Sequence, residues 1–101
     1  MQVKHPYDVR WLTLALKDMD SIAAYVASED QEAATLLIEK LWQAGKTLSH
    51  SPNRARPGRV PGTRELVLTS LPYYLVFTVE DNAVQILRVL HTARKYPPYV
   101  I

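Results

Sequence analysis

The chain reads as an α+β domain of order β-α-α-β-β-β, with a helical hairpin packed on one face of a small, mostly antiparallel sheet. Three features predict this. Two stripes of apolar residues at spacings of three and four run through Leu14–Ser28 and Gln31–Ser49, with only a two-residue link between them. Two dense apolar runs, YYLVFTVE at Tyr73–Glu80 and AVQILRVL at Ala83–Leu90, are separated by Asp81-Asn82, a two-residue hairpin turn. Ahead of the helices, YDVRWL at Tyr7–Leu12 alternates apolar and polar residues with the period of a strand.

The elements follow in order. After a loose lead-in over Met1–Pro6, Tyr7, Val9 and Trp11 share one face of the first strand, and Thr13 is placed to cap the first helix. That helix has the stripe Ala15, Leu16, Met19, Ile22, Ala23 and Val26, and leaves Lys17, Asp18 and Asp20 to solvent. Asp30 is placed to cap the second helix, whose stripe is Ala34, Leu37, Ile38, Leu41, Ala44 and Leu48; Glu32 and Lys46 complement its dipole. Tyr25 is expected in the core. Leu36 and Trp42 fall at the stripe margins, either as core flanks or as apolar surface for a partner. Glu65–Thr69 is the next strand, followed by the two apolar runs. The near-continuous apolar character of Ala83–Leu90 suggests a central strand covered on both faces. The basic tail HTARKY at His91–Tyr96 and a short apolar end at Tyr99–Ile101 follow.

At 101 residues, residues 1–101 make one domain with one core. An apolar content of 48% and a charged content of 22% are ordinary for a soluble globular protein. No apolar run is long enough to span a membrane, and no export signal is evident, so a cytoplasmic location is expected. Zero cysteine excludes disulfides, thiol nucleophiles and cysteine-held metals. His5, His50 and His91 stand far apart, no phosphate loop or HExxH motif is present, and no cofactor or metal is expected. The net charge of +2 is unevenly divided: residues 1–49 carry five basic and seven acidic side chains, residues 50–101 seven and three.

Much of that excess lies in the connector RARPGRVPGTREL at Arg54–Leu66, which holds Arg54, Arg56, Arg59 and Arg64 with two prolines and two glycines. No acidic residue occurs between His50 and Arg64. A stiff, irregular, basic connector suits an anionic or acidic partner. Arg64, opening a strand, is placed to pair with a carboxylate across the sheet. Arg88, inside an apolar strand, suits an edge or snorkelling role.

Several pieces together resemble the RelE/ParE superfamily of bacterial type II toxins: VRW leading into ALKDMDSIAAYVA (Ala15–Ala27), DQEAA (Asp30–Ala34), GRVPGTREL (Gly58–Leu66), PYYLVFTV (Pro72–Val79) and ILRVLHTARKYP (Ile86–Pro97). Their order and spacing match the elements above. The resemblance implies a growth-arresting toxin, of a kind associated with plasmid stabilization, neutralised by a cognate antitoxin in a hetero-oligomer. Operator DNA would be met only through the antitoxin. Antitoxin contacts are expected at Leu36 and Trp42.

The superfamily divides by target. RelE-like members cut mRNA on the ribosome; ParE-like members inhibit DNA gyrase. RelE-like nucleases resemble one another in carrying lysines in the connector and an arginine early in the strand that here reads YYLVF. This chain has no lysine between Lys46 and Lys95, and Tyr74 stands at that strand position. The ParE-like branch is therefore favoured, with Arg54, Arg56, Arg59, Lys95 and Tyr96 as target-binding residues. Under the alternative, a ribosome-dependent nuclease, His91 and Arg94 would serve as acid and charge stabiliser with Arg64 as a further cation. The competing reading has His91 capping the strand end. A degenerate, non-toxic member bound to its antitoxin is the third possibility.

Overall fold

The computed structural model describes residues 6–93. The elements are β1 (Asp8–Trp11), α1 (Thr13–Ala27), α2 (Gln31–Thr47), a 3-10 turn (Pro52–Arg54), β2 (Arg56–Pro57), β3 (Arg64–Val67), β4 (Tyr73–Glu80) and β5 (Ala83–His91). The strands form one five-stranded sheet in the order β1-β5-β4-β3-β2. β1 runs parallel to β5, and the other pairings are antiparallel. The architecture is the one expected, with an addition inside the connector. Arg56 pairs with Glu65 and Pro57 with Arg64, so the connector is not wholly irregular but supplies a short edge strand.

The helical hairpin covers one face. Ala15 and Met19 of α1, with Leu41 and Leu48 around α2, pack on Tyr73, Leu75, Phe77, Val84, Ile86 and Val89. Each fully buried Leu or Phe contributes about 1.5–3 kcal/mol. On the other face Tyr74, Val76 and Leu90 form a second cluster, and Val60 of the connector packs against it. β4 is thus buried on both faces from Tyr73 to Phe77. β5 is an inner strand, as its apolar run implies, but β4 holds the middle of the sheet.

Four local expectations change. Thr13 does not cap α1. Leu12 still donates its N–H to the Ile86 carbonyl, so the chain stays extended one residue further and Thr13 becomes the first helical residue. Asp30 does cap α2, accepting from the Ala33 N–H at 3.1 Å. Tyr25 is 75% exposed and Leu16 41% exposed. Tyr25 lies seven residues after Asp18 and so shares its flank of α1, not the inward line through Ala15, Met19 and Ile22. Asp18 is not solvated, and Arg88 does not snorkel. Asp18 accepts from Arg88 Nε at 2.7 Å, from Arg88 Nη2 at 2.9 Å and from the Val89 N–H at 2.9 Å.

That junction has a cause in the sheet. β1 accompanies β5 only as far as Ile86, so the N–H of Val89 has no strand on that side, and Asp18 supplies the acceptor. The β4–β5 ladder also slips, pairing Phe77 with Ile86 but Val76 with Arg88, which leaves Leu87 as an extra residue. A bulge of this kind re-aims the side chains after it; here Arg88 and Val89 both engage the α1 side.

One glycine is set by packing. A Cβ on Gly45, inside α2, would run into the Trp11 indole, so the missing side chain lets β1 approach the helix.

Candidate functional site: the arginine connector and the end of β5

The connector is organised by a buried carboxylate. Glu65, 1% exposed, faces Arg56 across the β2–β3 pair. Its Oε1 accepts from Arg56 Nη2 at 2.8 Å and Nε at 3.2 Å, and its Oε2 accepts from the Arg59 N–H at 3.0 Å. Burying a carboxylate is costly unless it is paired and hydrogen-bonded, and these three bonds meet that cost. A tight turn follows. The Thr63 N–H donates to the Val60 carbonyl at 3.1 Å. Gly62 has φ +85°, which with Pro61 before it is the pattern of a type II turn. This turn brings Val60 over the sheet.

Arg64 is not the residue that pairs with the carboxylate. It stands opposite Phe77, on the face that carries the helices, and donates through Nη1 to the Ala55 carbonyl at 3.1 Å. Side chains alternate along a strand, so the neighbour of Glu65 faces away from it. Arg54, Arg56 and Arg59 are exposed along one short stretch at the sheet edge. Among the described residues, Arg54 meets no carboxylate.

A second constellation lies at the end of β5. His91 stands opposite Tyr73, and the two rings meet edge-on with centroids 5.2 Å apart. His91 Nδ1 accepts from the Ala93 N–H at 3.0 Å, which is the strand-end capping arrangement. A recess of about 510 Å³ is lined by Tyr25, Tyr73 and His91, with Asp18 and Arg88 beside them. Burial, and then the neighbouring Tyr25, push the Tyr73 phenol above its ordinary range.

The residues expected to act together in a nuclease are not gathered. Arg64 pairs four residues further along β4 than His91 does, on the opposite side of that strand. At strand rise this separates them by roughly 13 Å along the strand alone. Arg94, Lys95 and Tyr96 lie outside the described residues, as does the apolar end Tyr99–Ile101. Leu36 and Trp42 line different grooves. Trp42, 40% exposed, packs edge-on against Trp11 at 4.4 Å and borders a groove between the helices with Ala27, Ala34 and Ile38. Leu36, 57% exposed, borders a groove against Leu68 and Leu71. Among the described residues no group of three His, Cys, Asp or Glu could hold a metal ion, and no helix is long and apolar enough to cross a membrane.

The sequence marked the arginines but not the groups that hold them. Glu65 is the lone acidic residue in an arginine-rich stretch, which was a usable signal. Nothing in sequence spacing links Asp18 to Arg88 across 70 positions.

With the geometry described, the chain can be set beside known proteins. A family model described as the ParE toxin of the type II toxin–antitoxin system parDE matches residues 9–96. The chain belongs to the ParE toxin family. The Y4kP protein of Sinorhizobium fredii is 36% identical over 89 residues, covering 88% of this chain and 92% of that one. Among solved structures, a chain of the chromosomal ParDE system of P. aeruginosa superposes with a TM-score of 0.78 at 31% identity, covering 87% of this chain and 98% of that one. A chain of the RelBE2 toxin–antitoxin complex of Mycobacterium tuberculosis superposes at 0.64 and 26% identity, covering 85% and 98%. Like these, this ParE-family chain is a helical hairpin on a mixed sheet, and its arginine connector falls inside the matched region.

Proposed function

We propose that this chain arrests growth by inhibiting DNA gyrase through contacts made by its arginine connector, and that a cognate antitoxin neutralises it in the cytoplasm. The observation that carries the reading is the face of the sheet under the connector. Where RelE-like nucleases present an arginine, Tyr74 is 2% exposed and packs with Val76, Leu90 and Val60. Beside it stands Glu65, itself a buried anion. The arginine of RelE-like nucleases is thus missing at this strand position, and the cation that does reach this face, Arg56, is already paired with Glu65.

An antitoxin partner is supported by the ParDE and RelBE2 systems, in which toxins of this fold are named together with their antitoxins. The two apolar grooves bordered by Trp42 and Leu36 suit it. One observation favours a ribosome-dependent nuclease instead: His91 and the Tyr73 phenol meet in an open recess.

Expression without antitoxin, followed by separate pulse labels of DNA and protein synthesis, tests the choice. The gyrase reading requires DNA synthesis to fall first. Early collapse of protein synthesis with DNA synthesis intact would mean that the gyrase reading is wrong.

A further inference from the structure

We propose that the arginine connector binds the phosphate backbone of duplex DNA, so that the toxin grips the DNA carried by gyrase as well as the enzyme. Arg56 is held from behind. Its Nε and Nη2 both donate to the buried Glu65 carboxylate, while its side chain stays 51% exposed. Nη1 makes no hydrogen bond among the described residues. An arginine already fixed by a buried carboxylate loses less side-chain entropy when an anion arrives, and its Nη1 is left to donate to a phosphate oxygen. The same carboxylate ties down the backbone of Arg59, and Arg54 stands two residues before Arg56 at the end of the 3-10 turn.

The surroundings favour phosphate over protein. Residues 50–64 contain no carboxylate. The carboxylate that follows, Glu65, is buried and already paired with Arg56. The connector also lacks an anchor of the kind protein interfaces use. The exposed large apolar side chains are Leu14, Leu16, Tyr25, Leu36, Trp42 and Val67, none of them between Arg54 and Arg64. Protein hot spots need such anchors, whereas backbone contacts to DNA need only cations and hydrogen-bond donors. This contact is distinct from operator binding through an antitoxin.

The proposal rests on the gyrase reading only for which DNA is met, and its test needs no gyrase. Purified toxin is titrated against a labelled 20-base-pair duplex, chosen as about two helical turns, and followed by fluorescence anisotropy over a range of salt. Phosphate contacts from Arg54 and Arg59 predict a log–log salt slope of about −1.8, or roughly 12-fold weaker binding at 200 mM than at 50 mM. Arg54→Gln and Arg59→Gln should each reduce the slope by about one. For Arg56 the double variant Arg56→Gln/Glu65→Gln avoids stranding the buried carboxylate; it removes one charge of each sign, so it should weaken binding through the lost donor and leave the slope nearly unchanged. No binding at about 100 µM toxin in low salt overturns the proposal. So does binding indifferent to these substitutions, or tighter binding to single-stranded RNA or to a polyglutamate peptide. If duplex binding is absent while gyrase inhibition persists, the DNA contact is wrong and the gyrase reading stands. If duplex binding follows the arginines while gyrase is unaffected, the DNA contact stands and the gyrase reading falls.

Discussion

Replacing Arg56 by Ala removes the side chain that neutralises Glu65. The Glu65 side chain is 0% exposed and that of Arg56 51% exposed, so the pair is buried at one end only. Stranding one partner of a fully buried pair costs about 3–5 kcal/mol, while an exposed pair is worth at most about 1 kcal/mol. The Arg59 N–H still reaches Oε2, and water can enter where Arg56 was. These considerations place the loss near 2 kcal/mol, about 8–16 °C in Tm for a domain of this size. Thermal unfolding followed by circular dichroism at neutral pH measures it. The second variant, Arg56→Ala/Glu65→Gln, removes the stranded charge and should recover about half of the loss, since an amide is cheaper to bury than a carboxylate. A single variant within about 2 °C of the unaltered chain would refute the claim that Glu65 organises the connector.

Three further outcomes follow from the packing. Gly45→Ala should lower the urea midpoint: helix propensity alone favours Ala by about 1 kcal/mol, but the added methyl meets Trp11, and overpacking costs about 1–3 kcal/mol; a raised midpoint would mean that β1 does not approach the helix closely. Asp18→Ala should cost about 3 kcal/mol in denaturant unfolding, by breaking the junction with Arg88 and leaving the Val89 N–H uncapped, and Asp18→Asn should cost less. The raised Tyr73 phenol makes stability pH-dependent at the alkaline end. The folded chain holds that proton more tightly than the unfolded chain, so this contribution is complete below pH 10.0 and is lost as pH rises through the folded value. Urea midpoints across that range should fall, and Tyr73→Phe should flatten the fall.

The sequence carried the architecture because its signals are local. The stripes of α1 and α2, the Asp30 cap and the Asp81-Asn82 turn each follow from residues a few positions apart, and all appear in the structure. The errors fall where distant residues meet. Asp18 looked solvated because its partner lies in β5, and Arg88 looked like an edge or snorkelling side chain for the same reason. Tyr25 looked buried because a helical stripe does not state its own width, and the residue lies beyond its margin. Thr13 lost its capping role to a sheet bond from Leu12. In the connector the arginines were evident, but the assignment of the carboxylate reversed. Arg64 is the neighbour of Glu65 in sequence, yet strand alternation sends it to the other face and leaves Arg56 to make the pair.

That connector now has a defined build, with one buried carboxylate, a type II turn and three exposed arginines beside a strand that carries Tyr74 in place of an arginine. The most direct test of its role is supercoiling of relaxed plasmid by purified gyrase in the presence of this toxin. The account predicts inhibition that weakens at least about tenfold when Arg54 and Arg59 are both changed to Gln, a loss of about 1.4 kcal/mol in binding. Supercoiling that proceeds unhindered, alongside mRNA cut on ribosomes in parallel, would contradict it.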